Sequence, residues 1–250
     1  MRMVQLTPWL WGAAGVVVLL AITPAAPLSV AGWAAALGYL AVSSALVFRG
    51  LRRRGSARFG AANAVTAARS TLVGIATGLV VTSLTGTISP ALLVAIVAVA
   101  LALDGVDGHV ARRTDSVSEL GARFDMEVDA FLMLVLSVYD VRFVGTWVLA
   151  IGLMRYAFVA AAWALPFLGR TLPHRYWRKV VAAACGVVLA VIAAQALPPV
   201  AAAIAAAAAL LLLIESFGHD VLWLLRMNRA GAHLVSPQKA SARDGSREQQ

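Results

Sequence analysis

The sequence predicts an all-α, polytopic integral membrane protein of about eight transmembrane helices. Three observations carry this. Apolar residues make up 61% of the 250 positions and charged residues only 13%, against roughly 25% charged in a soluble domain. A chain this short cannot enclose so much apolar surface in its own interior, so the solvent that fits it is a bilayer. The apolar residues also fall into separate runs of about 20, the length that crosses the hydrocarbon core. Finally, the basic residues collect in alternate gaps between those runs, as the positive-inside rule requires.

Eight spans are expected in order. The first covers 8–22 and ends at Thr23-Pro24-Ala25-Ala26-Pro27. The second covers 29–48 and runs into Arg49-Gly50-Leu51-Arg52-Arg53-Arg54. A short half-polar segment, 59–69, should lie at the interface. Spans three to six are expected at 70–84, 90–112, 120–139 and 144–168, and span seven at 179–197. Pro198-Pro199 separates it from span eight, 200–225, and from Arg229 the chain turns polar and is expected to be disordered.

With the N-terminus in the cytoplasm, 19 of the 21 basic residues fall on the inner side. Arg142 alone is in an outer loop, and Arg155 lies within a span. Arg2, the apolar run after it and its small-residue exit also resemble a signal peptide; another span follows at once, which favours a retained helix. Cys185 is the only cysteine, which excludes an intramolecular disulfide and a cysteine-based metal site. The net charge of +9 comes without aromatic interleaving, so it reads as topology and attraction to anionic headgroups, with no nucleic-acid partner. Nineteen Arg beside two Lys in an Ala-rich chain fits a GC-rich bacterial genome.

The acids are more informative, because only 12 exist and most cluster. Asp104 and Asp107 stand at i, i+3 near the inner end of the fourth span. Asp125 and Asp129 stand at i, i+4 near the start of the fifth. Each spacing puts two carboxylates on one helix face, and the short turn between the spans makes them antiparallel neighbours. Four carboxylates converging at one depth repel and are costly to desolvate. One or two divalent ions would compensate them. Oxygen-only ligands select Mg²⁺, Mn²⁺ or Ca²⁺ over zinc, and a two-metal cluster suits phosphoryl transfer. Gly105, Gly108 and Gly121 leave room for a ligand or a close helix, and Arg112 supplies a cation suited to phosphate. Asp115 and Glu119 read as ordinary partners of nearby arginines.

The run Asp104-x2-Asp107-Gly108-x2-Ala111-Arg112-x8-Gly121-x3-Asp125-x3-Asp129 resembles the signature of the CDP-alcohol phosphotransferases at all eight fixed positions. The wider resemblance covers about 59–227 and implies a membrane domain there, a short interfacial helix and a six-helix catalytic core, with the N-terminal transmembrane hairpin at 1–48 as an extension and a disordered tail at 229–250. It implies transfer of a phosphatidyl group from a CDP-linked donor, usually CDP-diacylglycerol, to an alcohol with release of CMP. It implies Mg²⁺ or Mn²⁺, two ions, held by Asp104, Asp107 and Asp125, with Asp129 completing the cluster and acting as base. Gly108, Ala111 and Arg112 would face the CDP group, and Ser118 matches a further nucleotide-side position. Asn63-x2-Thr66-x2-Arg69 resembles the element of the family near the cytidine; the proline often found before that Asn is Ala62 here. A homodimer is also implied.

The acceptor is not written in the motif. Phosphatidylglycerophosphate synthases often carry Lys after the fourth Asp, where this chain has Ala130 and Phe131; this weighs against glycerol 3-phosphate. Arg155, Arg175, Arg178 and Lys179 are candidates for a phosphorylated alcohol. The competing reading is a buried counter-ion for Arg155 and topology signals for the others. Glu215 and His219, at i, i+4, are expected to pair with Arg155 or each other. A transporter or divalent-metal carrier is the alternative function, and it would need acids at more than one depth. The expected setting is the inner membrane of a bacterial cell, with the site and C-terminus cytoplasmic.

Overall fold

The computed structural model describes residues 2–24, 26–54, 61–113, 119–169 and 176–244, with side chains at 9–24, 26–50, 52, 65–105, 121–165, 167–168 and 176–228. These residues form eight α-helices and no strand. They are α1 (Arg2–Ile22), α2 (Val30–Arg54), α3 (Ala61–Thr82), α4 (Pro90–Arg113), α5 (Glu119–Val144), α6 (Leu149–Ala164), α7 (Tyr176–Ala193) and α8 (Pro199–Asp244). Single 3-10 turns, Thr146–Val148 and Pro166–Gly169, flank α6.

Local chemistry sets the helix starts. Pro90 opens α4 and Pro199 opens α8, where the missing N–H costs nothing and φ is already helical. Ser29 Oγ accepts from the Gly32 amide at 3.0 Å, and Ser89 Oγ from the Leu92 amide at 3.3 Å, each satisfying an amide that the first turn leaves open. Gly145 takes φ +105° between α5 and the turn before α6, a conformation that favours glycine. Inside the bundle, Thr77 and Thr82 donate to the carbonyls of Val73 and Gly78 at 2.7 and 2.8 Å. Their hydroxyls are thus satisfied without water.

α3 is the centre of the molecule, packed on α1, α2, α4 and α5. Val73, Ala76 and Leu79 on α3, Leu93 on α4, Leu136 on α5 and Leu189 on α7 are each no more than 1% exposed. Glycines allow the closest approaches. A Cβ built on Gly32 would lie 2.6 Å from the Gly78 carbonyl oxygen, so α2 and α3 touch backbone to backbone. The Ser29 amide also donates to Thr82 Oγ1 at 3.1 Å. The N-terminal hairpin is therefore built into the bundle against α3.

Among the described residues, five helical stretches are long and apolar enough to cross a bilayer: Val30–Gly50, Val65–Thr82, Thr146–Ala164, Tyr176–Ala193 and Pro199–Asn228. Eight were expected. α1 and α4 carry shorter apolar stretches, Trp9–Ile22 and Pro90–Gly105. α5 is long enough but charged at Asp125, Glu127, Asp129, Asp140 and Arg142. Two of these three, α4 and α5, carry the acid motif.

Two boundaries differ from expectation. The interfacial segment and the third span are one continuous helix from Ala61, because no Pro or Gly stands at their junction, Arg69–Ser70, to stop it. α8 continues to Asp244, through the polar stretch expected to be disordered. Extending a helix that is already nucleated costs far less than starting one, and no break falls between Leu225 and Arg229.

Candidate metal centre

Three helices bring their charged residues to one end of the bundle. Arg69 lies two turns into α3, Asp104 near the end of the antiparallel α4, and Asp125 and Asp129 in the first turns of α5. One carboxylate oxygen from each of Asp104, Asp125 and Asp129 lies within 4.8 Å of the other two. Their side chains are 39%, 33% and 33% exposed, so the cluster opens to its surroundings, whereas Arg69 beneath it is wholly buried.

Arg69 touches all three acids. Nη1 donates to Asp104 Oδ1 at 2.7 Å and lies 2.8 Å from Asp125 Oδ1. Nη2 donates to Asp129 Oδ1 and to the Asp125 carbonyl oxygen, the latter at 3.5 Å. The Nη1 contact with Asp125 is out of line for a hydrogen bond, and Asp125 Oδ1 is a buried oxygen that receives none. Among the described residues, three carboxylates share the one buried guanidinium. A set of three converging carboxylate oxygens fits a hard divalent cation.

The structure thus brings together three of the four aspartates expected from the sequence. Asp107 follows on α4, with its side chain outside the described residues, as are those of Gly108, Ala111, Arg112 and Asn63. Ser118 and Arg175 lie outside the described residues altogether. Thr66 is buried at 4% exposure, three residues before Arg69 on α3, and so shares its face.

The acceptor candidates separate. Lys179, at the start of α7, is within electrostatic reach of Asp125. Arg178 donates to the buried Asp220 of α8 at 3.2 Å. Arg155 pairs with Glu127, which stands two residues from both Asp125 and Asp129 and so faces the opposite side of α5. Glu215 accepts from Trp177 Nε1 at 2.9 Å, where pairing with Arg155 or His219 was expected.

Sequence reading missed the role of Arg69, which counted as an inner-loop charge and a donor-side motif position. The signal was there: it is a cation at the edge of an apolar run, at the depth of four acids. It also missed Asp140, fully buried on α5, within electrostatic reach of Arg142 and about 16 Å along the helix from Asp129. Buried Leu132, Val135 and Leu136 lie between them, so no line of carboxylates joins the two.

Fold and site together define a polytopic, all-α membrane protein whose helices converge a carboxylate cluster suited to a divalent cation. The family profile of the CDP-alcohol phosphatidyltransferases matches residues 59–215, and the chain belongs to that family. No curated protein and no solved structure matches the chain. The matched region contains the whole of α3 to α7 and part of α8, hence the entire cluster, and leaves out α1 and α2. Membership carries the reaction class: transfer of a phosphatidyl group from a CDP-linked alcohol, in phospholipid synthesis.

Proposed function

We propose that this protein transfers the phosphatidyl group of CDP-diacylglycerol to an alcohol acceptor and releases CMP. The observation that supports this most is the convergence of Asp104, Asp125 and Asp129 within 4.8 Å, inside the family-matched region. Asp104, Asp107, Asp125 and Asp129 would hold Mg²⁺ or Mn²⁺, two ions in this reading. The metal supplies charge compensation for the pyrophosphate and for the oxygens of an in-line displacement.

This chain's own residues do the rest. Asp129, about one-third exposed, takes the proton of the acceptor hydroxyl as general base. The acceptor oxygen then forms a bond to the phosphorus that carries diacylglycerol, and the bond from that phosphorus to the CMP oxygen breaks. Asn63, Thr66, Gly108, Ala111, Arg112 and Ser118 make the cytidine-diphosphate side. Lys179 is the acceptor-side cation that the geometry favours. Arg155 and Arg178 each hold a carboxylate of their own, and Arg175 stays with them as an acceptor candidate. The working unit is a homodimer in the inner membrane of a bacterial cell, with the cluster and the C-terminus at the cytoplasmic side.

The test is CMP release from CDP-diacylglycerol by the purified protein with a panel of alcohols: glycerol 3-phosphate, inositol phosphate, free inositol and serine. One acceptor that drives stoichiometric CMP and lipid formation supports the proposal. No CMP release with any CDP-linked donor rejects it.

A further inference from the structure

We propose that Arg69 is a resident counter-cation of the aspartate cluster and that it opposes the divalent ion, so that metal binding requires its guanidinium to yield. This rests on the metal-centre reading of Asp104, Asp125 and Asp129. Arg69 is 0% exposed, and its guanidinium spans carboxylates from two other helices. Nη1 sits 2.7 Å from Asp104 Oδ1 and 2.8 Å from Asp125 Oδ1, while Nη2 holds Asp129. Three carboxylates held within 4.8 Å of one another without a cation would repel. Arg69 makes the metal-free site tolerable.

The same contacts work against the ion. Mg²⁺ needs its oxygens at about 2.0–2.1 Å. An ion ligated by Asp104 Oδ1 would lie at most about 4.8 Å from Nη1, the sum of that distance and the 2.7 Å hydrogen bond. Two cations that close, one of them divalent, repel, and burial weakens screening between them. Asp125 Oδ1, 2.8 Å from Nη1, is held beside the guanidinium as well. An ion that takes Asp104 Oδ1 or Asp129 Oδ1 competes with the hydrogen bond that Arg69 makes to that oxygen. The metal then replaces an internal cation. Metal-free protein stays folded, at the expense of metal affinity.

The experiment measures Mn²⁺ binding by the electron paramagnetic resonance signal of free Mn²⁺, in detergent, without substrate. It compares the wild type with Arg69→Gln and Arg69→Lys. Removing the guanidinium should tighten Mn²⁺ binding at least tenfold in Arg69→Gln. The metal-free thermal midpoint should fall in that variant and recover on adding Mn²⁺. Arg69→Lys keeps the charge on a shorter side chain and should fall between the two. If Arg69→Gln does not fold, Arg69→Lys decides. Binding that is equal or weaker than wild type in the folded variants overturns the proposal and makes Arg69 a support of the metal site. If none of the proteins, wild type included, binds Mn²⁺, the metal-centre reading falls with it.

Discussion

Tyr39 of α2 stacks on Phe131 of α5, with ring centroids 4.7 Å apart and planes 23° from parallel. The contact joins the N-terminal hairpin, which lies outside the family-matched region, to the helix that carries Asp125 and Asp129. The Tyr39 hydroxyl also meets Ser70 Oγ at 3.3 Å, one residue after Arg69. The hairpin therefore braces both α5 and α3 beside the cluster.

Tyr39→Ala should consequently destabilise the protein by about 1–3 kcal/mol, from lost stacking and half-buried area. Turnover should fall with it, because α5 loses a brace two residues from Asp129. Tyr39→Phe keeps the ring and loses only the contact with Ser70, so it should stay within about 1 kcal/mol of wild type. Thermal unfolding in detergent, followed by CMP release, reads both. Equal behaviour of the two variants would show that the ring contact carries no stability.

Gly152 makes a different kind of contact. A Cβ there would lie 2.5 Å from Leu134 Cα and 3.0 Å from the Leu134 amide nitrogen. Backbone cannot swing aside as a side chain can, so α6 would have to move off α5. Gly152→Ala should cost about 1–3 kcal/mol by overpacking. Gly38 has nothing within 4 Å of a built Cβ, and Gly38→Ala should be neutral or stabilising, since alanine is the better helix former by about 1 kcal/mol. Parallel thermal melts of the two variants check the contrast.

These relations show which parts of the molecule the sequence makes legible. The helices were readable because apolar run length and Pro breaks are local signals. The pairing of Asp125 with Asp129 was readable because i, i+4 spacing fixes a shared face. Asp104 joined them through a short connection between neighbouring helices. Arg69 was different. Its partners stand 35 and 60 residues away, and no local spacing says which face of α3 meets α4 and α5. The stacking of Tyr39 on Phe131 is a tertiary fact of the same kind. The interfacial segment and third span merge for another reason: polarity changes at Arg69–Ser70, but no Pro or Gly breaks the helix there.

Topology gives the next prediction. Reporters at Gly55 and after Arg229 should both lie in the cytoplasm, as the 19 inner basic residues of 21 require. Between those two positions lie α3 to α7 and the apolar stretch Pro199–Asn228 of α8, an even number of crossings that returns the chain to the side it left. A reporter at Gly145, between α5 and α6, should report the opposite side. Alkaline phosphatase and fluorescent-protein fusions at each site measure this, and signals from Gly55 and the C-terminal site on opposite sides would break the helix count.

The last prediction divides labour among the carboxylates. Chelation by excess EDTA should abolish CMP release, and Mg²⁺ or Mn²⁺ should restore it. Within the cluster, Asp125→Ala removes an oxygen that already lacks a hydrogen bond and so removes a ligand outright. It should lose both Mn²⁺ binding and turnover. Asp129→Asn keeps an oxygen for the metal and for Arg69 but can no longer accept the acceptor's proton. Turnover should fall at least a hundredfold, within the 10²–10⁴-fold typical of general-base assistance, while Mn²⁺ binding changes less than about tenfold, or about 1.4 kcal/mol. Mn²⁺ titration and CMP release on the same preparations separate the two effects. A drop of less than tenfold in turnover would reject Asp129 as the base. Loss of Mn²⁺ binding together with turnover in Asp129→Asn would make that carboxylate chiefly a ligand, and the proton would then leave through solvent or another group.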